Sequence, residues 1–302
     1  MNLLLTGCFN YSTEQLDAIK SLGYEVYFME SEKYDKLPLP AEQVDATVCN
    51  YLFTTNDFCG FSNLKLIQLV SAGLDRVPVE LIKAKGCKLF NARGVYGIPM
   101  AEWAVGRILE HYKHFQSFYA SQKIQEWKKD RGVREINGTN TAIIGAGNIG
   151  QEVAKRLSAF GSHVTGYDVI LGERPFFEKV AHINNLASEI GNYDIIVLTA
   201  PYTSETHHLI SYELLNSLRE NAVLVNIARG GLIDTDSLIR VFQKRLDLFA
   251  ALDVFEVEPL ATDSPLWKLP NIVVSPHNSF VSNGNNDRMF DVIYSNLKDF
   301  IV

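Results

Sequence analysis

The chain has 302 residues, 47% of them hydrophobic and 21% charged, with a formal net charge of −7. That length suits two domains, each able to bury a core. The acidic balance argues against nucleic-acid or anionic-membrane partners, which need basic surface. The four cysteines form no CxxC pair, which argues against a metal site and for reduced thiols in a cytoplasmic protein.

The opening Met1-Asn2-Leu3-Leu4-Leu5-Thr6-Gly7 has no basic flank and reads as a buried first strand rather than a secretory signal. No apolar run nears the roughly 20 residues that span a bilayer. Further strands are expected at Glu25–Phe28, Ala46–Cys49, Leu66–Val70 and Lys88–Asn91, with a Ser/Thr-capped helix over Ser12–Leu22. At Gly97-Ile98-Pro99 the pattern changes. A proline suited to a helix's first turn opens one long helix, Pro99 to about Gln122, crossing from a first domain to a second. Its Trp103, Tyr112, Phe115 and Phe118 suit core packing or a homodimer contact over 99–122.

A second set of strands follows at Thr141–Ile144, His163–Tyr167, Ile195–Thr199, Val223–Ile227, Phe249–Val254 and Ile272–Ser275. The amphipathic segment Arg288–Ile301 closes the chain and is expected to return to the first domain. Alternating strand and helix signals predict an α/β protein of two doubly wound parallel sheets. The expected domains are 1–98 with 280–302, and 99–279.

The clearest motif is Gly145-Ala146-Gly147-Asn148-Ile149-Gly150, between the strand ending at Ile144 and a helical pattern over Gln151–Phe160. Gly145 allows a tight turn, Gly147 a close backbone approach to a pyrophosphate, and Gly150 close helix–strand packing. The helix start, with Asn148 and Ile149, offers N–H groups and a positive dipole end to phosphate. The next strand ends in Asp168, placed to accept both ribose hydroxyls and to repel a 2′-phosphate. No Arg or Lys lies in Val169-Ile170-Leu171-Gly172, so NAD is favoured over NADP, although Arg174 is nearby.

Three later strands each end in a polar residue: Asn226-Ile227-Ala228-Arg229-Gly230-Gly231, Leu252-Asp253-Val254-Phe255-Glu256-Val257-Glu258-Pro259, and Ser275-Pro276-His277-Asn278. Ligands of open parallel sheets bind beyond the carboxyl ends of strands, so Arg229, Glu258 and His277 are candidates for one reacting centre. Imidazole suits proton donation to a developing alkoxide. A carboxylate beside it would fix its tautomer, and a guanidinium fork would hold a substrate carboxylate.

With these motifs in this order, and Pro201-Tyr202-Thr203-Ser204-Glu205-Thr206 between them, the sequence resembles the D-isomer-specific 2-hydroxyacid dehydrogenase family. Val70-Ser71-Ala72-Gly73-Leu74-Asp75 and Ile98-Pro99-Met100-Ala101-Glu102 match it more loosely. The resemblance implies a Rossmann NAD-binding domain inserted into a flavodoxin-like substrate domain. It implies Arg229, Glu258 and His277 as the catalytic triple. It also implies Pro201 and Thr206 along the cofactor ribose, Asp253 on the nicotinamide carboxamide, and the backbone of Ser71, Ala72 and Gly73 on the substrate carboxylate.

Many members carry a basic residue where this chain has Asn50-Tyr51-Leu52-Phe53-Thr54. Its absence points away from a phosphorylated substrate and leaves Tyr51 to narrow the pocket or to join the core. The expected function is NAD-dependent reduction of a small 2-keto acid, such as hydroxypyruvate or glyoxylate, or oxidation of D-glycerate. The alternatives are a D-3-phosphoglycerate dehydrogenase and, from another class, an NADH-sensing binding protein on the same fold. A formate dehydrogenase is disfavoured, because its relatives replace the glutamate that stands here as Glu258.

Overall fold

A computed structural model describes residues 1–301, which divide into two compact units. One runs from Met1 to Tyr96 and resumes at Ser282; the other is Gly97–Val281. The sequence reading places these divisions at 98/99 and 279/280.

The first unit contains β1 (Asn2–Thr6), α1 (Thr13–Ser21), β2 (Glu25–Met29), β3 (Ala46–Cys49), α2 (Leu52–Thr55), β4 (Leu66–Leu69), α3 (Val79–Ala84) and β5 (Lys88–Phe90). Its strands form one parallel sheet in the order β2-β1-β3-β4-β5. That is the flavodoxin-like order. Leu3, Leu4 and Leu5 are all fully buried, as expected of a strand covered on both faces. Helix α1 opens on a capping box: the Gln15 N–H donates to Ser12 Oγ at 3.2 Å, and the Ser12 N–H to Gln15 Oε1 at 3.0 Å. The C-terminal helix, Asn285–Ile301, presents Met289, Ile293 and Leu297 at four-residue spacing to the core around Leu3, Leu5 and Val48. The chain therefore ends in the unit where it began.

The second unit contains α4 (Gly97–Tyr112), α5 (Phe115–Lys123), β6 (Asn140–Ile144), α6 (Asn148–Ala159), β7 (His163–Asp168), β8 (Lys179–His182), α7 (Leu186–Glu189), β9 (Ile195–Leu198), α8 (Tyr212–Asn216), β10 (Val223–Asn226), α9 (Thr235–Phe242), β11 (Phe249–Leu252) and β12 (Ile272–Val274). Its seven strands are parallel in the order β12-β11-β10-β9-β6-β7-β8. The chain order reverses beside β6, and this switch point is where a doubly wound sheet opens its ligand crevice.

Two sequence expectations are corrected. The single helix from Pro99 to Gln122 is two helices, broken at Lys113–His114, and both lie in the second unit. The break has a tertiary cause. The Arg134 N–H donates to the Tyr112 carbonyl at 2.8 Å, and the Arg134 guanidinium lies 4.4 Å from the Tyr112 ring centroid. Lys113 Nζ reaches the Arg134 carbonyl, and His114, at φ 53°, faces Asp130 at 2.7 Å. The second correction is β8, a half-exposed edge strand whose Lys179 and His182 hide its strand character in the sequence.

Half-buried His111 stacks on Phe249 with ring centroids 3.9 Å apart, and partial burial pushes its imidazole pKa down to about 4. Among the described residues, no helix is long and apolar enough to cross a membrane, and no cluster of His, Cys, Asp or Glu could hold a metal ion.

Candidate active site

The turn between β6 and α6 shows why its glycines stand where they do. Gly145 has φ +98°, and a Cβ there would lie 2.5 Å from the Ala200 nitrogen. A Cβ at Gly150 would lie 2.2 Å from the Gly145 carbonyl oxygen. At Gly147, by contrast, a Cβ would meet nothing within 4 Å, so this backbone borders open space at the start of α6. Gly147 caps that helix without a side-chain hydrogen bond, leaving its first N–H groups to a ligand. These residues fit a dinucleotide pyrophosphate.

Asp168 ends β7 beside this turn. Its carboxylate accepts from the Ala146 N–H at 2.9 Å and from the Ile170 N–H at 3.0 Å. Arg174 has come to the same place: one guanidinium nitrogen donates to the Ala146 carbonyl at 2.7 Å, and the other lies 3.9 Å from Asp168. The local sequence after Asp168 lacks a cation, but the fold supplies one. Further along the sheet, Thr206 donates its hydroxyl to the Pro201 carbonyl at 2.8 Å and receives the Thr203 N–H at 2.7 Å. The Pro201–Thr206 loop is thereby closed on itself.

His277 and Glu258 form a pair, with the imidazole Nδ1 2.8 Å from Glu258 Oε2. The Phe255 N–H donates to the other carboxylate oxygen at 3.0 Å, so the glutamate is held from two sides. His277 itself occupies the left-handed region, at φ 50°. Asp253 sustains this turn. It is fully buried, and its carboxylate accepts from the Ser275 hydroxyl and from the Asn278 and Ser279 N–H groups, both at 2.8 Å. The His277 N–H donates to the Asp253 carbonyl at 2.8 Å. Asp253, for which the resemblance implies a cofactor contact, anchors the histidine turn in this structure.

Arg229 follows β10 in extended conformation and is half-buried. Buried Asn226 shapes its turn, accepting the Ala228 N–H at 3.0 Å and donating to the Arg229 carbonyl at 2.9 Å. The next residue brings two loops together: a Cβ at Gly230 would lie 1.9 Å from the Phe255 carbonyl carbon. Only glycine lets the arginine loop pack directly on the loop that carries Glu258.

The first unit holds its own cluster at the carboxyl ends of its strands. Ser71, Ala72 and Gly73 have their carbonyls engaged by the Ala92 N–H, the Asn91 amide and the Ser71 hydroxyl, at 3.0, 2.7 and 3.0 Å respectively. Buried Glu32 accepts from the Thr6 hydroxyl at 2.6 Å and from the Asn50 and Tyr51 N–H groups at 2.8 and 2.5 Å. It fixes the turn that carries Tyr51. Two cations lie over the Tyr51 ring, with Arg76 Cζ 4.2 Å and Lys33 Nζ 4.8 Å from its centroid. Arg76 also donates to Asn50 Oδ1 at 3.0 Å. Sequence reading found no basic residue at 50–54 and missed these two, because they come from other loops.

The family description "D-isomer specific 2-hydroxyacid dehydrogenase, NAD binding domain" matches residues 105–279, more than half of the chain. The chain belongs to the D-isomer specific 2-hydroxyacid dehydrogenase family. Its second unit is therefore the NAD-binding part of an oxidoreductase family member. Among its relatives, the hydroxypyruvate reductase of Thermotoga maritima is 37% identical over 71% of this chain and 70% of its own length. The D-3-phosphoglycerate dehydrogenase of Methanocaldococcus jannaschii is 38% identical over 71% of this chain, but the match spans only 41% of that protein. A D-isomer specific 2-hydroxyacid dehydrogenase family protein from Aeromonas salmonicida has a similar solved structure: TM-score 0.82 at 28% identity, covering 99% of this chain and 95% of that one.

Proposed function

We propose that the chain is an NAD-dependent D-2-hydroxyacid dehydrogenase that reduces a small 2-keto acid, such as hydroxypyruvate or glyoxylate, or oxidises D-glycerate. The observation that carries this reading is the Glu258–His277 pair, joining the loops after β11 and β12, in the unit whose glycine turn fits a dinucleotide. Because Glu258 occupies Nδ1, the other ring nitrogen, Nε2, is the one that gives a proton to the keto oxygen. Glu258 stabilises the imidazolium and fixes its tautomer. Arg229 holds the substrate carboxylate and polarises the adjacent carbonyl. In the first unit, the backbone N–H groups of Ser71, Ala72 and Gly73 suit a carboxylate of the substrate. Gly145, Gly147, Asn148, Ile149 and Gly150 receive the pyrophosphate, and Asp168 accepts from the adenosine ribose. Pro201 and Thr206 line the other ribose, and Asp253 offers its remaining acceptor position to the carboxamide. When bound, the nicotinamide supplies or takes up the hydride.

A second reading, D-3-phosphoglycerate dehydrogenase, is favoured by one observation: Arg76 and Lys33 flank Tyr51. Two cations at that position suit a substrate with a second anionic group. One assay separates the readings. Purified protein with NADH is offered glyoxylate, hydroxypyruvate, pyruvate and 3-phosphohydroxypyruvate in turn, and NADH loss is followed by absorbance. Highest kcat/KM on hydroxypyruvate or glyoxylate supports the first reading, and on the phosphorylated acid the second. NADH binding with no turnover on any of them leaves an NADH-sensing protein.

We further assign a homodimer through the 99–122 region, supported by Phe115, Phe118 and Tyr119 exposed on α5 and by Trp127, 99% exposed just beyond it. The free thiols support a cytoplasmic setting.

A further inference from the structure

The loops after β9, β10 and β11 carry the ribose contacts, Arg229 and Glu258, and they meet at a residue to which sequence reading gave no role. His208 adopts φ 52°, outside the comfortable range for a side chain of its size. Its backbone N–H donates to the Gly231 carbonyl at 2.8 Å, and two residues on, the Ile210 N–H donates to the Leu232 carbonyl at 2.9 Å. The loop after β9 is thereby zipped to the loop after β10. The His208 ring Nε2 pairs with a carboxylate oxygen of Glu256, two residues before Glu258. The opposite face of the contact is closed by His207, stacked on His208 with centroids 3.8 Å apart. His207 in turn faces the Tyr202 hydroxyl at 3.0 Å. The Tyr202 ring packs against Gly231, where a Cβ would lie 2.6 Å away. The charged and titratable groups around His208 are thus Glu256, His207 and Asp234, the last of which has its carboxyl lowered mainly by its hydrogen bond to Ser237 and further by His208.

We infer that His208 and Glu256 are positioning residues for the acid–base machinery. They form a second histidine–glutamate pair that clamps the Arg229 loop and the Glu258 loop in one register. Neither residue acts on substrate. Without the clamp, the Phe255–Glu258 loop loses its side-chain tie to the loop after β9 and keeps the packing of Phe255 on Gly230 and the contacts of Glu258 with Phe255 and His277. Glu258 then spends less time aligned with His277. The expected signature is a loss in turnover that exceeds any loss in cofactor affinity, because the glycine turn and Asp168 lie on other loops and the Pro201–Thr206 loop is closed by its own Thr206 hydrogen bonds. This inference rests on the dehydrogenase reading of Glu258 and His277.

The test uses the full chain and the best 2-keto acid of the panel, and compares wild type with Glu256→Ala, Glu256→Gln, His208→Ala and the double alanine variant. Kinetics give kcat and KM, and fluorescence titration gives the NADH Kd. Loss of a charge-assisted pair predicts a fall in kcat of about 10- to 30-fold for each single alanine, with the NADH Kd within about threefold of wild type. The double variant is expected to fall no further than the worse single, since both break the same contact. Glu256→Gln, which still accepts from the imidazole N–H, is expected to recover most of the turnover. Wild-type-like kcat in the alanine variants, additive losses, or a loss confined to NADH affinity would overturn the inference. A wild type inert on every 2-keto acid would instead remove the reading beneath it. Where an alanine variant fails to fold, Glu256→Met and His208→Phe, which keep side-chain volume and remove the hydrogen bond, carry the same comparison.

Discussion

In the Gly97–Val281 unit, Arg229, Asp253 and His277 each lie within three residues of the strand that delivers them. In the other unit, the polar cluster is assembled from Glu32 after β2, Tyr51 after β3 and Arg76 beyond β4. Both units are parallel sheets with their loops at the carboxyl ends. The difference lies in how far the chemistry travels along the chain. Where a strand end carries its own functional residue, the motif is local and a short run of sequence announces it. Where three loops contribute one residue each, no run announces anything, and the cluster exists only in the folded unit.

This contrast can be broken or sharpened by substitution. Largest is the effect expected of His277→Asn, which removes the proposed proton donor while keeping a polar side chain. A fall in kcat of roughly 10³-fold is expected, with the NADH Kd nearly unchanged. A kcat within a few-fold of wild type would remove His277 from proton transfer and leave its motif without chemistry. Next comes Asp168→Ala. Loss of a charged acceptor should weaken NADH binding by about 10- to 30-fold. Arg174, left beside the ribose position, should simultaneously raise the relative use of NADPH. An unchanged NADH to NADPH ratio would argue that Asp168 serves only to hold the Ala146 and Ile170 N–H groups. Smallest and most selective is Arg76→Met. If the cluster around Tyr51 reads a second anion, KM for 3-phosphohydroxypyruvate should rise about tenfold while glyoxylate kinetics hold. An equal change on both substrates would make Arg76 a staple of the Asn50–Tyr51 turn and nothing more.

The elements were legible because both sheets are parallel and buried. Runs such as Leu3-Leu4-Leu5 and Val223-Leu224-Val225 have little alternative to a covered strand. The Ser12 cap and the glycine turn at 145–150 were legible for a similar reason, since each works through residues adjacent in the chain. The break at His114 is not legible in the sequence, because it is made with Arg134 and Asp130, which local periodicity does not register. Strand β8 escaped because an edge strand needs few apolar residues.

At the site the same division holds. The Glu258–His277 pair was anticipated from two motifs lying 19 residues apart. The His208–Glu256 pair, 48 residues apart, was not, though both residues stand beside motifs already singled out. By itself, the sequence determined the two sheets, the dinucleotide turn and the family, because these rest on backbone conformation and on burial, which neighbouring residues dictate. Only the tertiary structure decided which charges meet: Arg174 with Asp168, Arg76 with Tyr51, and His208 with Glu256. Such encounters depend on the relative placement of loops, and a side chain's partner across a loop leaves no mark on the residues beside it.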